Sequence, residues 1–104
     1  MFAAIKQLLG FGPKVGFAEL MNRGALIIDV RSKGEYASGH IKGSLNIPLD
    51  RLNSEVSKLK AKNKPIITCC ASGMRSASAK SILKSAGISE VHNGGSWSGL
   101  KSQI

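Results

Sequence analysis

The sequence predicts an α/β domain in which helices flank a mainly parallel sheet. Two continuous apolar runs rich in branched residues carry that reading: Ala25 to Arg31 (ALIIDVR) and Ile66 to Cys69 (IITC). Such runs suit strands buried on both faces, as in a parallel sheet. A strongly patterned helix over 75–86 follows the second run, and strand and helix signals alternate along the chain.

The elements follow in order. An apolar opening stretch over 1–12 places Phe2, Ile5, Leu8 and Leu9 on one helical face, and Gly10, Gly12 and Pro13 break it. It reads as an amphipathic segment ahead of one domain over 13–104. FAELMN, residues 17–22, is a short helix ending near Gly24, and the strand from Ala25 follows. Ser32 caps a helical turn with Glu35 and Tyr36, closed by Gly39. Ser44 to Ile47 is a short strand stopped by Pro48. Leu49, Leu52, Val56 and Leu59 recur at helical spacing, and the run Lys58 to Lys64 reads as a solvated connection to Pro65. In the helix over 75–86, Ala79, Ile82, Leu83 and Ala86 form the apolar stripe and Gly87 provides the stop. A weak strand near Val91, then Gly94, Gly95 and a turn bearing Trp97, end the chain.

Length and composition bound the function classes. With 104 residues there is room for one domain, and 42% hydrophobic with 20% charged residues is the balance of a folded globular chain. The 15 Lys and Arg against 6 Asp and Glu give a formal charge of +9, which raises the local concentration of anions at any cleft they surround. The basic residues are spread along the chain with no recognition helix or aromatic platform, so nucleic acid is not the expected partner. No segment reaches membrane-spanning length, and no cleavable leader pattern is present, so a cytoplasmic location is expected. Cys69 and Cys70 are adjacent, too close for an ordinary disulfide, which fits a reducing compartment.

Cys70 to Ser76 (CASGMRS) joins the strongest central strand to the clearest helix. A cysteine at that junction faces unpaired backbone N–H groups and the positive end of the helix dipole, which favour thiolate over thiol. Gly73 permits positive φ, so the loop amides turn inward. Arg75 adds charge or holds the loop through a carboxylate or carbonyl, and Ser76 caps the helix or donates to an oxyanion. Cys69 lies one strand position earlier and is expected on the opposite face, in the core.

This loop resembles the active-site loop of the rhodanese family: Cys, two residues, Gly, one residue, Arg, then Ser or Thr. Asp29-Val30-Arg31, Glu35-Tyr36, Gly39-His40-Ile41, Gly43, Asn46-Ile47-Pro48, and Gly94-Gly95 with Trp97 follow the family pattern in register over roughly residues 15–101. The resemblance implies a rhodanese-like sheet of about five strands and a sulfurtransferase that needs no metal or organic cofactor. Cys70 would be the catalytic nucleophile, carrying sulfane sulfur as a persulfide. Ala71, Ser72, Gly73, Met74, Arg75 and Ser76 would bind a small anionic donor such as thiosulfate, and a thiol or a protein would accept the sulfur. Asp29 and Arg31 would support the site, with His40 structural and Trp97 a lid over the core. One departure stands out: many family members have Arg directly after the cysteine, and Ala71 removes that charge from the loop.

Two rival readings follow. A sulfur-carrier module docking to a partner would keep the same cysteine and loop. Phosphatases of related fold place five residues between Cys and Arg; four intervene from Cys70 and five from Cys69. Gly73 and Ser76 fall at the family positions only when counted from Cys70.

Overall fold

The computed structural model describes residues 16–104, so the amphipathic segment expected over 1–12 lies outside the described residues. Helix α1 spans Phe17–Asn22 and strand β1 Leu26–Asp29. Helix α2 spans Lys33–Ser38, and the two-residue strand β2 is Leu45–Asn46. A 3₁₀ turn at Leu49–Arg51 leads into α3, Leu52–Lys62. Strand β3, Ile66–Cys70, precedes α4, Met74–Ser85; β4 is Val91–Ser96 and α5 Trp97–Lys101.

The strands form one parallel sheet in the order β2-β1-β3-β4. Four strands are present among the described residues, one fewer than the family resemblance implied. They are the four that the residue pattern itself marked. Strand β3 is central and buried along its whole length, and this is why its sequence is apolar without alternation.

Alternate side chains enter two different layers. Ile28, Val30, Ile66 and Cys70 pack beneath Leu52 and Leu59 of α3 and Ala79 and Leu83 of α4. Ile27, Ile67 and Cys69 pack beneath Leu20 of α1, Ile41 and Leu100 of α5. Fully burying a leucine such as Leu83 contributes roughly 1.5–3 kcal/mol. These helices are therefore held mainly by their apolar faces. No helix among the described residues is long and apolar enough to cross a membrane.

Two local readings change. Lys58 to Lys62 is not a connection but the last turn of α3: Leu59 still reaches the core, and cations suit a helix C-terminus. Asn63, at φ 52°, ends the helix. Gly94 and Gly95 lie inside β4 rather than after it, because the strand carries one extra residue there: Thr68 pairs with Asn93 but Cys70 with Ser96. A Cβ on Gly94 would meet the Thr68 carbonyl oxygen at 2.8 Å, so no larger residue fits.

Candidate active site

Strand β3 ends on Cys70, and α4 begins four residues later. Gly73 caps that helix with φ 102° and ψ −10°, a left-handed conformation that a side chain would strain. The turn folds the chain back over the cysteine. The Gly73 N–H donates to Cys70 Sγ at 3.0 Å, and the Ser76 N–H donates at 3.4 Å. The Ser76 hydroxyl lies 3.5 Å from the sulfur. Burial pushes the Cys70 thiol up, but donors from Ser76, Gly73 and Ser72 outweigh it, and its pKa is lowered below the ordinary thiol value. Cys69 is 0% exposed, as is Cys70, yet faces the other layer. Burial there, with the Asp29 carboxylate adding to it, raises its thiol to about 12.

The remaining loop residues occupy different environments. Ala71 and Ser72 are exposed, Gly73 and Arg75 half-buried, and Ser76 buried. Met74 is 79% exposed, the most open large apolar side chain among the described residues. Beside the loop is an apolar depression of about 360 Å³ lined by Val30, Pro48, Leu49 and Arg75. A larger cavity of about 400 Å³ lies at the opposite end of the sheet, lined by Arg23, Lys60, Lys64 and Glu90, and does not include the thiol.

Arg75 takes the carboxylate option. It grips Glu35 with two bonds, at 2.7 and 2.9 Å. That pairing, with bonds from Ser32, lowers the Glu35 carboxyl to about 2. Glu35 also completes a capping box with Ser32, so α2 is anchored at its start and tied to the loop at once.

Asp29 and Arg31 form a buried pair on the Cys69 side of the sheet. The guanidinium reaches Asp29 Oδ2 at 2.7 Å and the Gly39 carbonyl at 2.7 Å. It also donates to the Glu35 carbonyl at 3.3 Å and lies 4.9 Å over the Trp97 ring. The pair thus fixes the segment carrying Glu35, and Glu35 fixes Arg75. Neither Asp29 nor Arg31 hydrogen-bonds the sulfur. His40 stacks on Tyr36 with ring centroids 3.7 Å apart and bonds the Tyr36 carbonyl, so it braces the same segment.

Two residues close to the chemistry were not anticipated. Asn93 of β4 contacts both Ser76 and Gly73, and Thr68 donates to the Ser76 carbonyl at 2.8 Å. The only sequence signal was a polar residue two positions after Val91, on a strand face that should be core. Among the described residues, no group of three or more His, Cys, Asp or Glu could hold a metal ion.

The family model described as Rhodanese-like domain matches residues 16–103. The thiosulfate sulfurtransferase PspE of Escherichia coli (strain K12) is 36% identical over 75 residues, covering 71% of this chain and 69% of PspE. The putative sulfur carrier protein YrkF of Bacillus subtilis (strain 168) is 36% identical over 87 residues, 84% of this chain and 44% of YrkF. YqhL of the same organism is 37% identical over 71 residues, covering 68% of this chain. The chain spans 56% of YqhL, so the match covers little more than half of that relative. A solved structure of a rhodanese with anions from E. coli superimposes with a TM-score of 0.67 at 32% identity, covering 72% of this chain and 89% of that one.

Proposed function

This chain belongs to the rhodanese-like domain family, and on that footing we propose that it is a sulfurtransferase carrying sulfane sulfur as a persulfide on Cys70. The observation that carries the reading is the convergence of the Gly73 and Ser76 N–H groups on Cys70 Sγ, at 3.0 and 3.4 Å. A sulfur so held is thiolate at lower pH than an ordinary cysteine, and the thiolate is the nucleophile.

The Cys70 thiolate attacks the outer sulfur of an anionic donor such as thiosulfate. The donor's S–S bond breaks, its electron pair leaves with sulfite, and a Cys70 persulfide anion forms. An acceptor nucleophile, cyanide or a thiolate on a small molecule or protein, then takes the outer sulfur and returns the Cys70 thiolate. Charge balances at each step, so no oxidant or reductant enters. In this reading the loop N–H groups that face Sγ also stabilise the negative outer sulfur.

Arg75 is already neutralised by Glu35, and Ala71 carries no charge. Donor attraction therefore falls to the amides, the dipole of α4 and the field of the +9 chain. The similarity to a putative sulfur carrier supports a second role, delivery to a protein rather than a free thiophile.

Intact-mass analysis after thiosulfate treatment tests the reading. Wild type should gain one sulfur atom, removable by cyanide, and Cys70→Ser should gain none. A Cys70→Ser variant that still takes up sulfur would defeat the proposal. Discharge by cyanide at a slow rate, with fast discharge to a protein thiol, would identify the carrier role.

A further inference from the structure

The Ser76 hydroxyl has one proton and three neighbours able to take it. Asn93 Oδ1 is at 2.6 Å, the Gly73 carbonyl oxygen at 3.0 Å and Cys70 Sγ at 3.5 Å. Asn93 Oδ1 also accepts from the Gly95 N–H at 2.9 Å, and its Nδ2 donates to the Gly73 carbonyl at 3.3 Å. A donor on one side and an acceptor on the other permit only this orientation of the carboxamide. Register explains its place: Asn93 pairs with Thr68, two positions before Cys70 on the same face.

We propose that Asn93 is a positioning residue for the Cys70 nucleophile, its carboxamide oxygen competing with the sulfur for the single Ser76 hydroxyl proton while its amide holds the Gly73 turn. The proposal rests on the reading of Cys70 as the sulfur carrier. With Cys70 as thiol, the S–H donates to Ser76 Oγ and the Ser76 hydroxyl donates to Asn93 Oδ1. On loss of the thiol proton the hydroxyl rotates to the sulfur, and Asn93 Oδ1 keeps the Gly95 N–H. Once the outer sulfur is bound, Sγ is no longer the anion and the hydroxyl returns to Asn93. A thiolate held by fewer committed donors is also the stronger nucleophile.

The charged groups around the sulfur leave this competition visible. Arg75 of α4 is locked to Glu35 of α2, and Asp29 and Arg31 at the end of β1 are locked to each other. Asp50 of the 3₁₀ turn is exposed, and His92, next to Asn93, bonds Glu90. Cys69 is held as a thiol.

Alkylation of Cys70 by iodoacetamide, followed by mass across a pH series, separates this role from simple packing. Asn93→Asp supplies a stronger acceptor and should move the midpoint up, slowing alkylation at neutral pH by about tenfold, the worth of one hydrogen bond to an anion. Asn93→Leu frees the proton for the sulfur and should move the midpoint down, with a lower limiting rate at alkaline pH. In a Ser76→Ala background the Leu effect should vanish and the Asp effect shrink. Shifts of the same sign for both variants, or an undiminished Asp effect without the Ser76 hydroxyl, overturn the proposal. If one variant does not fold, the sign of the other decides. Alkylation needs no sulfur donor, so a wrong or missing shift at Asn93 is told apart from failure of wild type to take up sulfur, which defeats the functional reading instead.

Discussion

Cys69 and Cys70 share a peptide bond, a strand and complete burial, yet the fold pushes their thiols in opposite directions. Cys69 looks into a layer of Leu20, Ile27, Ile67 and Leu100 with the Asp29 carboxylate nearby, and stays protonated. Cys70 looks into the other layer at the point where α4 begins, and receives N–H donors from its own loop. Burial alone therefore does not decide whether a cysteine is inert. The number of donors aimed at the sulfur decides it, because each replaces water that burial removed.

The largest expected contrast comes from serine at each position. Cys70→Ser should abolish sulfur uptake with little change in stability, because the loop N–H groups can still donate to a hydroxyl oxygen. Cys69→Ser should keep sulfur uptake but lower stability by about 1–3 kcal/mol, since its hydroxyl is buried without a designed partner. Urea unfolding alongside sulfur loading reads both, and stability loss at Cys70 or activity loss at Cys69 would break the contrast.

Smaller, and confined to the Cys70 side, is the effect of Gly73→Val. Left-handed backbone with a branched side chain costs roughly 1–2 kcal/mol or pulls the turn out of shape. Either way the donor at 3.0 Å is compromised, and persulfide formation should fall well before the fold does. Alkylation of Cys70 at neutral pH should fall in parallel, while Cys69 stays unreactive until the chain is unfolded. Normal loading by a folded Gly73→Val variant would mean the turn does not activate the sulfur.

The smallest effect lies one step further out, at the clasp between Glu35 and Arg75. The Glu35 carboxyl is lowered in the folded chain to about 2. Its contribution to stability is therefore complete above the ordinary carboxylate value and is lost as pH falls through about 2. Glu35→Gln should be less stable than wild type at neutral pH, with the gap closing through the acid range. Glu90, also lowered by Arg23 and His92, adds acid sensitivity to both proteins equally, so the difference between them isolates Glu35. A gap that does not change with pH would show that the clasp contributes shape and not charge.

Much of the site was legible because its information is local. Cys70, Gly73 and Ser76 lie within seven residues, so the strand end, the left-handed turn and the helix start can be read from spacing and residue type. The opposite faces of Cys69 and Cys70 follow from the period of two in any strand. The Ser32 cap was also readable, since it lies three residues from Glu35. Glu35 could not be foreseen as the partner of Arg75, 40 positions away, because its local motif already gives it a role.

What the sequence by itself determined is the alternating α/β pattern, the fully buried central strand and the loop that folds over Cys70. These follow from periodicity and from backbone preferences acting over a few residues. Tertiary structure alone decided the strand order β2-β1-β3-β4, the reach of Arg31 to Gly39, and the meeting of Asn93 with Ser76 across 17 positions. The last depends on the register that sets Asn93 beside Thr68, two positions before Cys70 on the same face. A register is a property of two strands together, fixed by packing on both faces of the sheet, so neither strand's sequence contains it alone.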